Sequence, residues 1–292
     1  VFTVSALIDS FDRFLCAHVR AGSKAPQTRK WYVVALEKLR AAVGAFPAAE
    51  LRPHHIIGVE FTNHFIRSVK AMYAWAVDED LVPKNPFRKL ATPPCGERER
   101  VLTRKELASL YRVSPRPFRR ILSALVHTMA RPGELRNLKW SQVDLPNRLL
   151  RLNKFKAKKL RKDKMKVRLI PLDRFAAELL TALERRSPDR KPEEHVFLNS
   201  RGRPWKKDAL RSAMIRARAR AGLSTDDGGE RVVCYTLRHT AATTATENGV
   251  RDKTLAEIMG HARTATTNRY QHLGGEHLVD VIDRATARPR RS

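Results

Sequence analysis

Between Val82 and Gly96 the chain places Pro83, Pro86, Pro93 and Pro94, and the polar run Glu97-Arg98-Glu99-Arg100 follows at once. Each proline removes a backbone donor and blocks a helix interior, so no regular element can cross this stretch. With no apolar period inside it, the stretch reads as a linker. A chain of 292 residues is also too long for one small core and suits about two domains. The expected division is a first domain over 1–92, a linker over 93–100 and a second domain over 101–292, whose last part, 275–292, forms a tail.

The two parts carry different patterns. In the first, Phe61, Phe65, Val69, Tyr73 and Val77 stand four residues apart, and Phe11, Phe14, Leu15 and Val19 also keep a helical spacing. Such stripes are the seams of a helical bundle, and the aromatics in them are core. The second part opens with Thr103 and Glu106 at capping-box spacing ahead of Leu107 and Leu110. Leu149, Leu150 and Leu152, and then Val167 and Leu169, suggest two strands, and helices are expected over 173–186, 206–221 and 239–248. The fold class is therefore a mainly α N-terminal bundle followed by an α+β domain, mostly helical with a small antiparallel hairpin.

Charge narrows the partner. Lys and Arg total 58 against 30 Asp and Glu, a net charge of +28. Eleven of the basic residues crowd into 148–168, among them Lys154, Lys156, Lys158, Lys159, Lys162 and Arg168, with Asp163 as the one acid. Like charges at that density gain nothing for a fold and suit a surface that follows a phosphate backbone. Nucleic acid is the expected partner, with Lys154, Lys156, Lys159 and Lys162 as backbone contacts. No Gly-rich phosphate loop is present, so no nucleotide cofactor is expected. Cys16, Cys95 and Cys234 are widely spaced and odd in number, which signals neither a zinc site nor a disulfide framework, and free thiols in a reducing compartment follow. No apolar run approaches the roughly 20 residues of a membrane span.

Three short stretches carry the chemistry. The first is Arg131-Pro132-Gly133-Glu134-Leu135, with Trp140 beyond it. Pro132 suits the first turn of a helix and keeps Arg131 out of the α region, so Arg131 stands at a helix mouth. The second is Tyr235-Thr236-Leu237-Arg238-His239; the third is Ile258-Met259-Gly260-His261, followed by Thr266, Thr267 and Tyr270. In order and internal spacing these resemble the boxes of the tyrosine recombinase (phage integrase) family. The N-terminal part, with Tyr73-Ala74-Trp75-Ala76-Val77 and Asn85-Pro86-Phe87, looks like that family's core-binding domain, so the resemblance covers nearly the whole chain.

The resemblance implies a site-specific DNA recombinase that cleaves and rejoins DNA through a 3′-phosphotyrosyl intermediate, without a metal or cofactor. Arg131 and Arg238 would clamp the non-bridging phosphate oxygens, and Tyr270 would be the nucleophile. His261 would hydrogen-bond the phosphate, and a hairpin lysine would protonate the leaving 5′ oxygen: Lys158, with Lys156 and Lys162 open as alternatives. Glu134 would orient a neighbouring Arg or His. Tyr235 stands where the family commonly has His; its phenol can donate a hydrogen bond to phosphate but cannot carry an imidazolium's charge. The family further implies double-stranded DNA as the partner and a homotetramer on paired DNA sites, in the cytoplasm with the nucleoid. The tail, with Leu278, Val279, Val281 and Ile282, is apolar enough to dock on a neighbouring subunit. The same chemistry would serve a topoisomerase acting as a monomer; the compact N-terminal bundle and the box spacing favour the recombinase.

Overall fold

The computed structural model describes residues 1–59, 61–94, 100–152, 167–223, 231–260, 279 and 281–283. The chain divides into two compact units, Val1–Glu97 and Arg98–Ser292, each built around its own apolar cluster.

In the first unit the Thr3 hydroxyl accepts from the Ala6 amide and starts helix α1 (Val4–Arg20). Its Val4, Leu7, Ile8, Phe11 and Leu15 fall on one buried face, the spacing a 3.6-residue period demands. Helix α2 (Pro26–Val43) begins on a proline whose missing donor costs nothing at a helix start. Helix α3 (Asn63–Asp78) starts from Thr62, whose hydroxyl accepts from the Phe65 amide. The cap explains one departure from the sequence pattern. Phe61 precedes the helix and is exposed, while Phe65, Val69 and Tyr73 are buried together with Ile66, Met72 and Ala76. The Tyr73 hydroxyl donates to the Ala48 carbonyl at 3.0 Å, so even this large side chain is satisfied inside the core. Asn63 donates to the Pro93 carbonyl at 2.6 Å, which holds the chain against this unit as far as Pro93.

In the second unit Thr103 and Glu106 exchange the two bonds of a capping box at the start of α4 (Arg104–Val113). Helix α5 (Arg116–Thr128) follows, then the short α6 (Pro132–Arg136). Strands β1 (Val143–Asp144), β2 (Leu149–Leu152) and β3 (Arg168–Pro171) form an antiparallel sheet in that order. Its register sets Leu150 opposite Ile170 and Leu152 opposite Arg168. Helices α7 (Arg174–Arg185), α8 (Lys207–Arg220), α9 (Cys234–Glu247) and α10 (Asp252–Met259) complete the unit. Helix α9 starts earlier than the 239–248 expected from the sequence, which places Tyr235 and Arg238 on its first two turns. Its Leu237 lies in the main cluster, and Thr240 accepts from the Leu102 amide at 2.9 Å.

Of the tail, Val279 and Ile282 are buried on the chain's own second unit, Ile282 among Met129, Ala241, Ala245 and Ile258. Asp283 takes both terminal nitrogens of Arg148, at 2.7 and 2.9 Å, and the Arg174 amide. This part of the apolar tail, read from the sequence as a face for a neighbouring subunit, is thus covered within one chain. Among the described residues no helix is long and apolar enough to cross a membrane. Cys16 and Cys234 are free thiols, with burial pushing Cys234 up to about 12; Cys95 lies outside the described residues.

Candidate active site

The site begins where α5 ends. Met129 takes the left-handed conformation, φ 50°, and is fully buried, a backbone state uncommon for a residue with a Cβ. The turn is fixed by Thr128, whose hydroxyl donates to Ala124 and accepts from the Ala130 amide. It brings the chain to Arg131, the residue that precedes the first turn of α6, as Pro132 requires. Three residues on, Glu134 reaches back. Its Oε2 accepts from the Arg131 amide at 2.8 Å and its Oε1 from Arg131 Nη1 at 2.8 Å.

The last carbonyls of a helix have no partners within it. At the end of α10 three successive carbonyls each receive a different guanidinium. Arg168 Nη2 donates to Ile258 at 2.9 Å, Arg238 Nη2 to Met259 at 2.7 Å, and Arg131 Nη2 to Gly260 at 2.6 Å. Arg238 Nη1 donates in addition to the Met129 carbonyl. Strand β3, helix α9 and the start of α6 thus meet on one helix terminus. The partial negative charge there favours cations. Gly260 ends the helix with φ 63°, and a Cβ built on it would lie 2.4 Å from Arg168 Nε. Only glycine fits both the conformation and the space.

The electrostatics are lopsided. In the bonds described, Arg131 and Arg168 share the carboxylate of Glu134, while the third guanidinium, Arg238, donates to backbone carbonyls. Burial alone would raise the Glu134 pKa, but the Arg168 charge and the bonds from Arg131 and Arg168 outweigh it and hold the carboxyl below its ordinary value. Burial lowers the pKa of Arg238, and the Arg131 and Arg168 charges add to that effect while Tyr235 and Glu134 oppose it. Guanidiniums gathered in this way suit an anion such as a phosphodiester.

The sign of the Glu134 shift gives a test. A depressed carboxyl pKa contributes stability that is fully present above the ordinary value of 4.5 and is lost as pH falls through the lowered value. Glu134→Gln is therefore expected to flatten unfolding free energy against pH below the ordinary carboxyl value of 4.5, measured by urea denaturation. Parallel curves for the two proteins would show that the carboxylate is not held by these charges.

Access is graded across the cluster. The Arg131 side chain is 23% exposed and Tyr235 36%, whereas Arg238 is fully buried. The Tyr235 ring lies 5.7 Å from the Arg238 guanidinium and 5.2 Å from the His239 ring. Of the residues expected from the sequence, Arg131, Tyr235 and Arg238 are thus brought to one place, with Glu134 bonding Arg131. Lys154, Lys156, Lys158, Lys159, Lys162, His261 and Tyr270 lie outside the described residues. In the sequence Gly260 immediately precedes His261. One participant is absent from the sequence reading: Arg168, counted there only among the hairpin's basic residues, is buried beside Glu134. Its signal was the register, because the position opposite Leu152 faces inward. No group of His, Cys, Asp and Glu suited to a metal occurs among the described residues.

Comparison with known proteins follows the same lines. The model of the Phage integrase family matches residues 100–277, more than half of the chain. Tyrosine recombinase XerD of Bifidobacterium longum is 28% identical over 179 residues, covering 58% of this chain and 53% of the relative, so the chain spans about half the length of that protein. Tyrosine recombinase XerC of Corynebacterium efficiens is 29% identical over 230 residues, covering 76% of this chain and 70% of the relative. Among solved structures, a lambda integrase tetramer bound to a Holliday junction superposes with a TM-score of 0.71 at 17% identity, covering 91% of this chain and 79% of that one. The mostly helical fold with a small antiparallel sheet, expected from the sequence, is the fold of these integrases.

Proposed function

Because the chain belongs to the phage integrase family of tyrosine recombinases, we propose that it is a site-specific DNA recombinase acting through a covalent protein–DNA intermediate. The observation that carries the reading is the meeting of Arg131 and Arg238, from distant parts of the chain, on the adjacent carbonyls of Gly260 and Met259.

Attack on a phosphodiester concentrates negative charge on the non-bridging oxygens, and guanidiniums placed beforehand stabilise that charge. Arg131, the accessible member of the pair, takes one oxygen; Arg238 takes the other once binding of the phosphodiester uncovers it. The Tyr270 oxygen attacks phosphorus, the bond from phosphorus to the 5′ oxygen breaks, and a lysine of the 148–168 hairpin, Lys158, gives that oxygen its proton. One phosphate ester replaces another, so the energy of the broken bond is kept for rejoining, when a 5′-hydroxyl attacks the 3′-phosphotyrosyl link. A free tyrosine phenol has a pKa near 10, and attack at the guanidinium cluster would favour its ionised form. His261 and Tyr235 donate hydrogen bonds to the phosphate. The basic hairpin holds the DNA backbone through Lys154, Lys156, Lys159 and Lys162. The chain works as a tetramer on two duplexes, an assembly for which the lambda integrase complex on a Holliday junction is the precedent.

The test uses a pool of duplexes with randomised centres. After incubation with the full chain and denaturation, DNA that stays linked to protein is recovered and sequenced. The expected result is linkage that withstands a metal chelator, enrichment of one sequence, and no linkage with Tyr270→Phe. Linkage without sequence preference would favour the topoisomerase, and its absence in the wild-type chain would leave only a basic DNA-binding protein.

A further inference from the structure

We propose that Arg168 is a positioning residue for DNA cleavage, setting the guanidinium of Arg131 through Glu134 while holding the end of α10 in place. This rests on the recombinase reading of the same site.

Arg168 cannot serve the DNA surface that its place in the basic run suggests, because its side chain is only 4% exposed. It occupies an inward position of β3, opposite Leu152, where an apolar side chain would be the ordinary choice. Replacing a buried ion pair with apolar residues is often neutral or stabilising, so stability alone gives no reason for a guanidinium here. What it supplies is direction. Nη1 bonds Glu134 Oε1, the same oxygen that receives Arg131 Nη1. Nη2 bonds the Ile258 carbonyl at 2.9 Å, next to the carbonyls that receive Arg238 and Arg131. A planar fork with both ends fixed leaves the carboxylate little choice of rotamer. Glu134 in turn determines where the Arg131 fork points. The space above Gly260, which a Cβ would fill to within 2.4 Å of Arg168 Nε, lets the guanidinium lie against the helix end. One side chain on β3 therefore links the stretch containing Arg131 to the stretch leading to His261.

The experiment measures single-turnover cleavage by the full chain on a nicked duplex of the sequence recovered with the wild type. Arg168→Lys keeps the charge and can bond Glu134, but cannot span to Ile258 as well. It is expected to slow cleavage about 10- to 100-fold at a temperature where the variant is fully folded, as loss of such supporting partners does elsewhere, with DNA affinity unchanged and Tm lowered by the Ile258 carbonyl left without its donor. Arg168→Met should be slower still. Combining Arg168→Lys with Glu134→Gln should lose no more than the worse single variant, since both act through one carboxylate. Wild-type cleavage by Arg168→Lys at that temperature or additive losses in the double variant would each overturn the proposal. Where Arg168→Met fails to fold, Arg168→Lys decides. A wild-type chain that links no DNA would instead sink the recombinase reading itself.

Discussion

Arg238→Lys is expected to bind DNA almost as the wild type does and to form covalent complex at least about 100-fold more slowly, the scale set by removing one preorganised donor from a developing oxyanion. The two properties separate because affinity for a duplex is spread over many backbone contacts, whereas the charge of the transition state sits on two oxygens. The fold should also register the change. Arg238 is fully buried and bonds the Met129 and Met259 carbonyls; a lysine can reach only one of them. A buried carbonyl left without its donor costs about 1–3 kcal/mol, so Tm should fall measurably. Arg238→Ala, which abandons both carbonyls, should be less stable again. Gel-shift titration, calorimetry and covalent trapping on the same preparations check the three parts. Cleavage by Arg238→Lys at the wild-type rate would remove this residue from the chemistry.

Gly260→Ala should be nearly as damaging, for a steric reason. The left-handed conformation at φ 63° strains any residue with a Cβ, and the added carbon would stand 2.4 Å from Arg168 Nε and 2.8 Å from its Cζ. The strain alone is worth about 1–3 kcal/mol, and relief requires Arg168 to leave the groove in which it holds Glu134. Loss of cleavage should therefore accompany loss of stability. Gly133→Ala is the control: that glycine lies within α6 and a Cβ there meets nothing within 4 Å. Alanine is the better helix former by about 1 kcal/mol, so this variant should keep its Tm. Equal behaviour of the two variants in urea denaturation would show that space at the end of α10 is not what selects glycine.

How far the sequence disclosed this arrangement depends on what kind of signal each part leaves. Thr103 and Glu106 announced the start of α4 because a capping box is a local exchange of bonds between two residues. The α3 seam was visible in Phe65, Val69 and Tyr73, yet Phe61 fell outside it, since periodicity does not say where Thr62 will cap. Arg131 and Arg238 could be singled out because the stretches around them resemble the family's boxes, with Pro132 adding a local setting for Arg131. Arg168 could not. In a run of eleven basic residues nothing local distinguishes the one that turns inward, and only pairing with Leu152 across the sheet does so. The early start of α9 was hidden for a similar reason, because Tyr235 and Arg238 interrupt the apolar pattern that would have marked its first turns. The tail is a different case. Its apolar residues signalled burial, but composition does not say whether the covering surface belongs to the same chain, as it does at Ile282.

The convergence of Arg131 and Arg238 on the end of α10 has meaning for DNA chemistry only if the chain places a nucleophile at the same phosphate. That is tested most directly by digesting the trapped protein–DNA complex and sequencing the peptide that carries the nucleotide. The account predicts a single linked peptide with the nucleotide on Tyr270, joined through a 3′-phosphate, and a free 5′-hydroxyl on the other side of the break. Attachment at any other residue, or through a 5′-phosphate, would contradict it.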